Sequence, residues 1–249
     1  MHLLPAGLPR PAAGAFTNRA GGTSAPPYDA LNLGMHVEDE WRRVHANREL
    51  LADAAELDRG DLVFAQQVHG AGVAVVDRAS SRGRNGGVVG VDALVTTTRG
   101  LGLVVLAADC LPVLLADPVA GVVAVAHAGR QGLVAGVLQA TVTAMAGLGA
   151  TAAATGAVVG PAACGRCYEV PPAMADEVER AVPGSRSTTR NGTASVDLTA
   201  GAVAVLTAAG LSDVRTVGGC TLEQPELFYS YRRDGRTGRH AGIAWLARG

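Results

Sequence analysis

Residues 110–127 read CLPVLLADPVAGVVAVAH, and the reading of this stretch decides the fold. Two apolar runs, Val113 to Ala116 and Val122 to Ala126, flank Asp117-Pro118-Val119-Ala120-Gly121. Apolar runs separated by a five-residue segment holding Pro and Gly predict a β-hairpin. Pairing Ala116 with Val122 sets Leu111 opposite His127, so Cys110 falls one residue from the place facing the imidazole. Opposed Cβ atoms lie about 4.5–5.5 Å apart and diagonal ones about 7–8 Å. A thiol and an imidazole at that range can share a proton or a metal. Asp109 before the cysteine and Pro112 after it predict that the ladder ends there, at the open end of the hairpin.

Outward from the hairpin the chain alternates strands and helices. Leu62 to Val68, Gly72 to Asp77, Val91 to Thr97 and Gly102 to Ala107 read as strands before it, with Arg82 to Gly87 an exposed loop. Gly132 to Met145 reads as helix and Ala157 to Val159 as strand. Pro171 to Val182 is a helix with proline in its first turn. Leu198 to Ala209 is a helix with Asp197 as N-cap, and Val214 to Val217 a strand. The first sixty residues read as loop around one charged helix, Glu38 to Leu57, with Val44, Leu50, Leu51 and Ala54 inward. The class is α/β with mixed sheets, and no linker divides residues 1–249 into two domains.

Composition narrows the chemistry. The chain has 249 residues, 48% hydrophobic and 17% charged, with a formal net charge of −1. That balance argues against nucleic acid or an anionic membrane as partner. All 21 basic residues are arginine. Without lysine there is no Walker-type phosphate loop, no Schiff base and no pyridoxal-phosphate anchor. Gln131 to Val159 carries no charge, but its Ala/Gly/Thr composition would insert only weakly into a bilayer and reads as buried helix and strand. Four scattered cysteines and no signal-like start predict reduced thiols and a cytoplasmic protein.

Spacing alone leaves a structural role open for the thiol and the imidazole: a cysteine near a strand end is commonly a small buried hydrophobe. His69, in Gln66-Gln67-Val68-His69-Gly70, would complete a His/Cys/His set, though spacing does not tie it to the other two. Cys164-Gly165-Arg166-Cys167 has metal-type spacing but no second such pair, and it fails the nucleobase-deaminase pattern because no His-x-Glu precedes it. It reads as loop thiols with Cys167 buried. Arg232, Arg233, Arg236 and Arg239 form a basic cluster, either a solvated loop or a flap carrying anion contacts, to which Tyr229 and Tyr231 could add an aromatic face.

Five segments in order carry a resemblance over almost the whole chain: Phe16-Thr17-Asn18-Arg19 with Gly21-Gly22; Leu31-Asn32-Leu33-Gly34 with His36-Val37 and Asn47-Arg48; Gln67-Val68-His69-Gly70; Ala108-Asp109-Cys110 through Asp117-Pro118 to Ala126-His127-Ala128-Gly129; and Cys167-Tyr168-Glu169-Val170 with Phe228-Tyr229-Ser230-Tyr231-Arg232-Arg233-Asp234-Gly235, ending in Thr237-Gly238-Arg239. On these residues the chain resembles the YfiH-type laccase-domain family, formerly called multicopper polyphenol oxidases and now usually described as purine nucleoside phosphorylases. The resemblance implies a layered sandwich of mixed sheets with flanking helices, a cysteine-hydrolase-like fold in one laccase-type domain spanning 1–249. It implies zinc at His69, Cys110 and His127, and an enzyme that phosphorolyses purine nucleosides, including methylthioadenosine, and deaminates adenosine. Arg19 and Arg239 are candidate substrate contacts. Three protein ligands leave a fourth position open, as catalytic zinc sites do. Copper fits less well, since multicopper sites need many histidines and this chain has six.

Two rival readings follow from the same residues. Cys110 with His127 as base could serve a Cys-dependent amidase or hydrolase, since the family is also linked to peptidoglycan precursor editing. A regulatory scaffold without turnover is the other. One departure bears on both: where the family continues His-Ala-Gly with Trp-Arg-Gly, this chain has Arg130-Gln131-Gly132. Moving the cation one place predicts weaker phosphate capture and relatively more deamination.

Overall fold

The computed structural model describes residues 3–79 and 87–248. Among them lie two six-stranded mixed sheets. The first runs β1 (Leu3–Pro5), β2 (Ala12–Thr17), β14 (His240–Leu246), β7 (Gly102–Ala107), β3 (Leu62–Gln66), β5 (Gly87–Val89). The second runs β13 (Asp213–Thr216), β10 (Gly156–Val159), β8 (Leu111–Asp117), β9 (Val122–Ala128), β6 (Ala93–Thr96), β4 (Val73–Val75). A hairpin of β11 (Arg186–Thr188) and β12 (Ala194–Val196) stands apart.

The sheets stack face to face. Phe16, Val105 and Ala244 of the first meet Leu114, Val123, Val125 and Val158 of the second. On the outer face of the first sheet, Val104, Leu106 and Ile243 pack against Leu51 and Ala52 of α1 (Trp41–Ala54). On the outer face of the second, Leu111, Val113 and Ala124 pack against α3 (Val137–Ala146), α4 (Pro172–Ala181) and α5 (Leu198–Ala208). The order helix, sheet, sheet, helices is the layered sandwich expected. Strands β8 and β9 are covered on both faces, so their side chains are apolar at nearly every position rather than at alternate ones.

The hairpin forms one residue out of the expected register. Asp117 pairs with Val122 and Pro112 with His127, and the ladder runs on to Leu111 and Ala128. Asp117 closes the turn: its carboxylate accepts from Val119 and Ala120 N–H at 2.9 Å and from Thr151 N–H at 2.9 Å. The turn is thus Pro118 to Gly121, one residue shorter than expected. Pro112 does not end the ladder, because its missing N–H falls where the carbonyl alone is used, accepting from Gly160 N–H at 2.8 Å.

Other expectations meet smaller corrections. The helix expected over Gly132 to Met145 is two pieces, α2 (Arg130–Val134) and α3, divided at Gly136, whose φ of +87° only glycine adopts at low cost. Helix α5 has Asp197 as N-cap, accepting from Ala200 N–H at 2.9 Å. Strands β1, β2, β11, β12 and β14 went unforeseen. The loop expected at Arg82 to Gly87 lies outside the described residues except for Gly87, which begins β5. No helix among the described residues is long and apolar enough to cross a membrane.

Candidate functional site

The corrected register strengthens the pairing it was meant to predict. Side chains opposed across an antiparallel ladder share a face, and a slip of one residue moves them to opposite faces. With Pro112 opposite His127, residues 110 and 112 lie on the face of His127, so Cys110 is its diagonal neighbour. The ligand atoms of Cys110, His127 and His69 all lie within 4.8 Å of one another. The two imidazoles meet edge to face at 4.8 Å between centroids.

Asp92 assembles the cluster, and sequence reasoning passed over it. Fully buried just before β6, it accepts the backbone N–H groups of Val68 (3.2 Å), His69 (2.9 Å) and Gly70 (2.7 Å). The same carboxylate lies 2.9 Å from His127 Nδ1. One side chain thereby folds the His69 loop and fixes the His127 ring, leaving Nε2 for the site. The signal in the sequence was a lone carboxylate opening an apolar strand. Gln67 completes the loop, exchanging hydrogen bonds of 2.7 and 2.8 Å with the Leu106 backbone. His69 (φ +60°) and Asp109 (φ +95°) both hold left-handed backbone that non-glycine residues seldom adopt. Asp109 is held there by Thr221 Oγ–H at 2.6 Å and Arg232 N–H at 2.7 Å.

Electrostatics poises the pair. Burial alone would push the Cys110 thiol up, but the His127 charge and hydrogen bonds from both histidines bring it down to about 6. Burial alone would lower His127; the Cys110 thiolate and the Asp92 hydrogen bond raise it to about 9. Without a metal the two form a thiolate–imidazolium pair. The donor set also fits a metal: two imidazoles and a thiolate suit zinc. Gly129 leaves the space beside them clear, since a Cβ there would lie 2.9 Å from Cys110 Sγ and 3.1 Å from His69 Cδ2.

A cavity of about 900 Å³ lies over the cluster, within the range of small-molecule sites. Tyr168 and Tyr231 give it aromatic walls, Arg48 and Arg239 give it cationic ones, and His36 adds an imidazole beside them. His36 is lowered by its own burial and then by the charges of Arg239 and Arg48, so these three groups share one region of the wall. Arg48 lies 3.7 Å over the Phe64 ring and donates to Leu33 O at 3.0 Å. Of the C-terminal arginines, Arg232 and Arg239 line the cavity. Arg233 instead binds backbone carbonyls of Thr221 and Phe228, and Arg236 binds the Tyr28 hydroxyl. Tyr231 faces the cavity, whereas Tyr229 is fully buried and donates to Tyr28 O at 2.7 Å.

Two expected contacts lie elsewhere. Arg19 is outside the cavity lining: it pairs with Asp29 at 3.3 Å, donates to Pro225 O at 2.9 Å and sits 4.8 Å over the Tyr229 ring. Arg130 and Gln131 open α2 and are not among the residues that line the cavity. Cys167, expected to be buried, is only half-buried; Cys220 is the buried one.

The pattern of the multi-copper polyphenol oxidoreductase laccase family matches residues 13–247. A Streptomyces griseus protein named purine nucleoside phosphorylase is 55% identical over 232 residues, 93% of each chain. One of the same name from Corynebacterium glutamicum is 46% identical, covering 95% of each. Among solved structures, the YfiH protein of Bacillus licheniformis superposes with a TM-score of 0.87 at 32% identity, covering 94% of this chain and 92% of its own. YlmD of Geobacillus stearothermophilus gives 0.86 at 30% identity, with 96% and 93% covered.

Proposed function

The chain belongs to the multi-copper polyphenol oxidoreductase laccase family, and from that membership we propose a zinc-dependent purine nucleoside phosphorylase that also cleaves methylthioadenosine and deaminates adenosine. The observation that carries the reading is the meeting of the His69/Cys110/His127 cluster with the Arg48, His36 and Arg239 wall in one cavity. Phosphate needs cationic donors, and guanidinium groups are suited to its geometry. Tyr168 and Tyr231 offer faces on which a purine can stack. Zinc would be held by His69, Cys110 and His127, and when bound it supplies Lewis acidity. Asp92 keeps the His127 ring oriented, and the half-open cavity admits either phosphate or water as the second reactant.

A panel of adenosine, inosine, guanosine and methylthioadenosine, with and without phosphate, tests this. Free base should appear only with phosphate, and inosine should form from adenosine without it. Absence of both products from zinc-loaded protein would overturn the reading.

A second reading has its own support: Cys110, His127 and Asp92 are in line as a nucleophile, base and orienting carboxylate, the arrangement of a Cys-dependent hydrolase. Elemental analysis of wild type against Cys110→Ala separates the two. Loss of the cluster's zinc in the variant favours the phosphorylase; equal zinc in both frees the thiol for nucleophilic work.

A further inference from the structure

Three of the four cysteines stand away from the cavity cluster, in two loops that the second sheet brings together. Strands β10 and β13 are parallel neighbours, so the chain leaves both at the same edge. The pairing continues beyond them through a bridge between Ala162 and Cys220, with Thr221 N–H donating to Ala162 O at 3.1 Å. Cys164 and Cys167 follow one strand; Cys220 and Glu223 follow the other. Cys164-x-x-Cys167 thus finds its missing second half in Cys220-x-x-Glu223, a pair that no cysteine count reveals.

We propose that Cys164, Cys167, Cys220 and Glu223 form a second, structural metal site that takes one zinc ion. Their four ligand atoms all lie within 4.8 Å of one another. Around zinc with sulfur at ~2.3 Å, tetrahedral ligands stand about 3.8 Å apart, so closure needs a contraction of about an ångström at most. The Cys167 thiol already lies 3.1 Å from Glu223 Oε1. Arg190, paired with Glu223 at 2.5 Å, balances part of the negative charge that three thiolates and a carboxylate would leave around a divalent ion. Binding sends the thiol protons to solvent, with no redox change. Four protein donors leave no open position, so the site is closed and structural where the cavity cluster has room for a fourth ligand. The carboxylate among the thiolates favours zinc over copper(I), which prefers soft donors throughout.

Such a site would brace the cavity. Tyr168 directly follows Cys167 and lines the cavity, with the Arg232 guanidinium 4.6 Å over its ring. Thr221 directly follows Cys220 and donates to Asp109, the residue before Cys110.

The test is arranged to be independent of the cavity cluster. Cys110→Ala protein, loaded with zinc and freed of excess, should keep about one zinc per chain. Adding Cys164→Ser and Cys220→Ser should leave none, with folding checked by circular dichroism. In wild type, where folding is not at issue, Cys164 and Cys167 should resist iodoacetamide until a strong chelator is added. Cobalt in the Cys110→Ala protein should give an intense thiolate charge-transfer band. A folded, zinc-free Cys110→Ala protein would overturn the proposal. So would equal alkylation with and without chelator, or a disulfide among these cysteines in protein purified without oxygen.

Discussion

At the residue scale the site turns on Cys110 and on Asp92, which never touches it. The Cys110 thiol, brought down to about 6, is a thiolate above that pH; the His127 imidazolium, raised to about 9, persists below that pH. A lowered thiol stabilises the fold above the ordinary cysteine range and loses that contribution as pH falls through 6. A raised histidine stabilises below its ordinary range and loses it as pH rises through 9. The ion pair is therefore whole between about 6 and 9. In chelator-treated protein, iodoacetamide labelling of Cys110 should rise with a midpoint near pH 6, read by peptide mass spectrometry; a midpoint near 9 would mean that no such pair forms. Asp92→Asn leaves an acceptor for His127 but presents an amide to two of the N–H groups of Val68, His69 and Gly70. Orphaned buried donors cost about 1–3 kcal/mol each. Zinc affinity should fall roughly 10–100-fold, as for other substitutions behind a metal ligand. Competition with a chromophoric chelator measures it, and unchanged affinity would remove Asp92 from the site. Cys110 and His127 were legible because the hairpin spacing brings a thiol and an imidazole together; His69 joined them only through the family resemblance, and a single aspartate in a strand gives neither signal.

At the element scale, the legible pieces were those whose pattern is local. Strand β7 and helix α5 matched closely because a β-branched run or a capped helix shows in neighbouring residues alone. Strand β14 pairs with both β2 and β7 and is buried along nearly all its length, yet His240-Ala241-Gly242-Ile243-Ala244 mixes small and polar residues in no strand-like alternation. Its neighbour β2, Ala-Ala-Gly-Ala-Phe-Thr, is small for the same reason: Gly14 passes where a Cβ would meet Leu8 and Leu114 side chains at 2.8 and 3.0 Å. Close sheet packing selects small residues and so erases the signal. The register slip was of this kind, since a turn of four residues and one of five differ only in whether Asp117 joins the ladder. Gly129, the N-cap of α2, has ordinary φ (−70°), so alanine there strains no backbone. Its methyl would press on Cys110 Sγ and His69. Gly129→Ala should stay folded, with Tm within a few degrees of wild type, yet lose cavity zinc and adenosine turnover. Full zinc in that variant would show that the donors lie elsewhere.

At the scale of the whole molecule, a buried neutral histidine bears on the response to acid, and a half-buried arginine on the proposed response to phosphate. His240 is fully buried where β14 meets β7, 5.6 Å from the Phe228 ring, and burial followed by the nearby Arg239 charge lowers it to about 3. The unfolded chain takes up that proton near 6.5, so stability should fall by about 1.4 kcal/mol per pH unit from there toward 3. In thermal melts between pH 7 and 4, the stability of wild type relative to His240→Leu should therefore fall as pH falls; a difference that does not change with pH would mean that His240 titrates in the fold as it does in the unfolded chain.

On the proposed function, phosphate meets the chain across the cavity rather than at the departure in sequence. Arg239 lines the cavity, and the two carbonyls it binds, Thr237 and Gly238 at 2.9 Å, orient its guanidinium. Its burial and its proximity to His36 and Arg48 place positive charge where little water competes. A guanidinium-to-phosphate contact of this kind contributes about 1.5–3 kcal/mol, so Arg239→Gln should raise the phosphate KM roughly 10–100-fold. Deamination takes water as its reactant and should change much less. Arg130 and Gln131 sit at the first turn of α2 outside the cavity, so Arg130→Trp with Gln131→Arg should leave the phosphate KM within about twofold of wild type, a change well under 1 kcal/mol. Phosphorolysis and deamination measured on the three proteins, with phosphate varied over at least two decades, separate the possibilities. A double variant that lowers KM while Arg239→Gln does nothing would move the anion site to the α2 turn and return the sequence departure to importance.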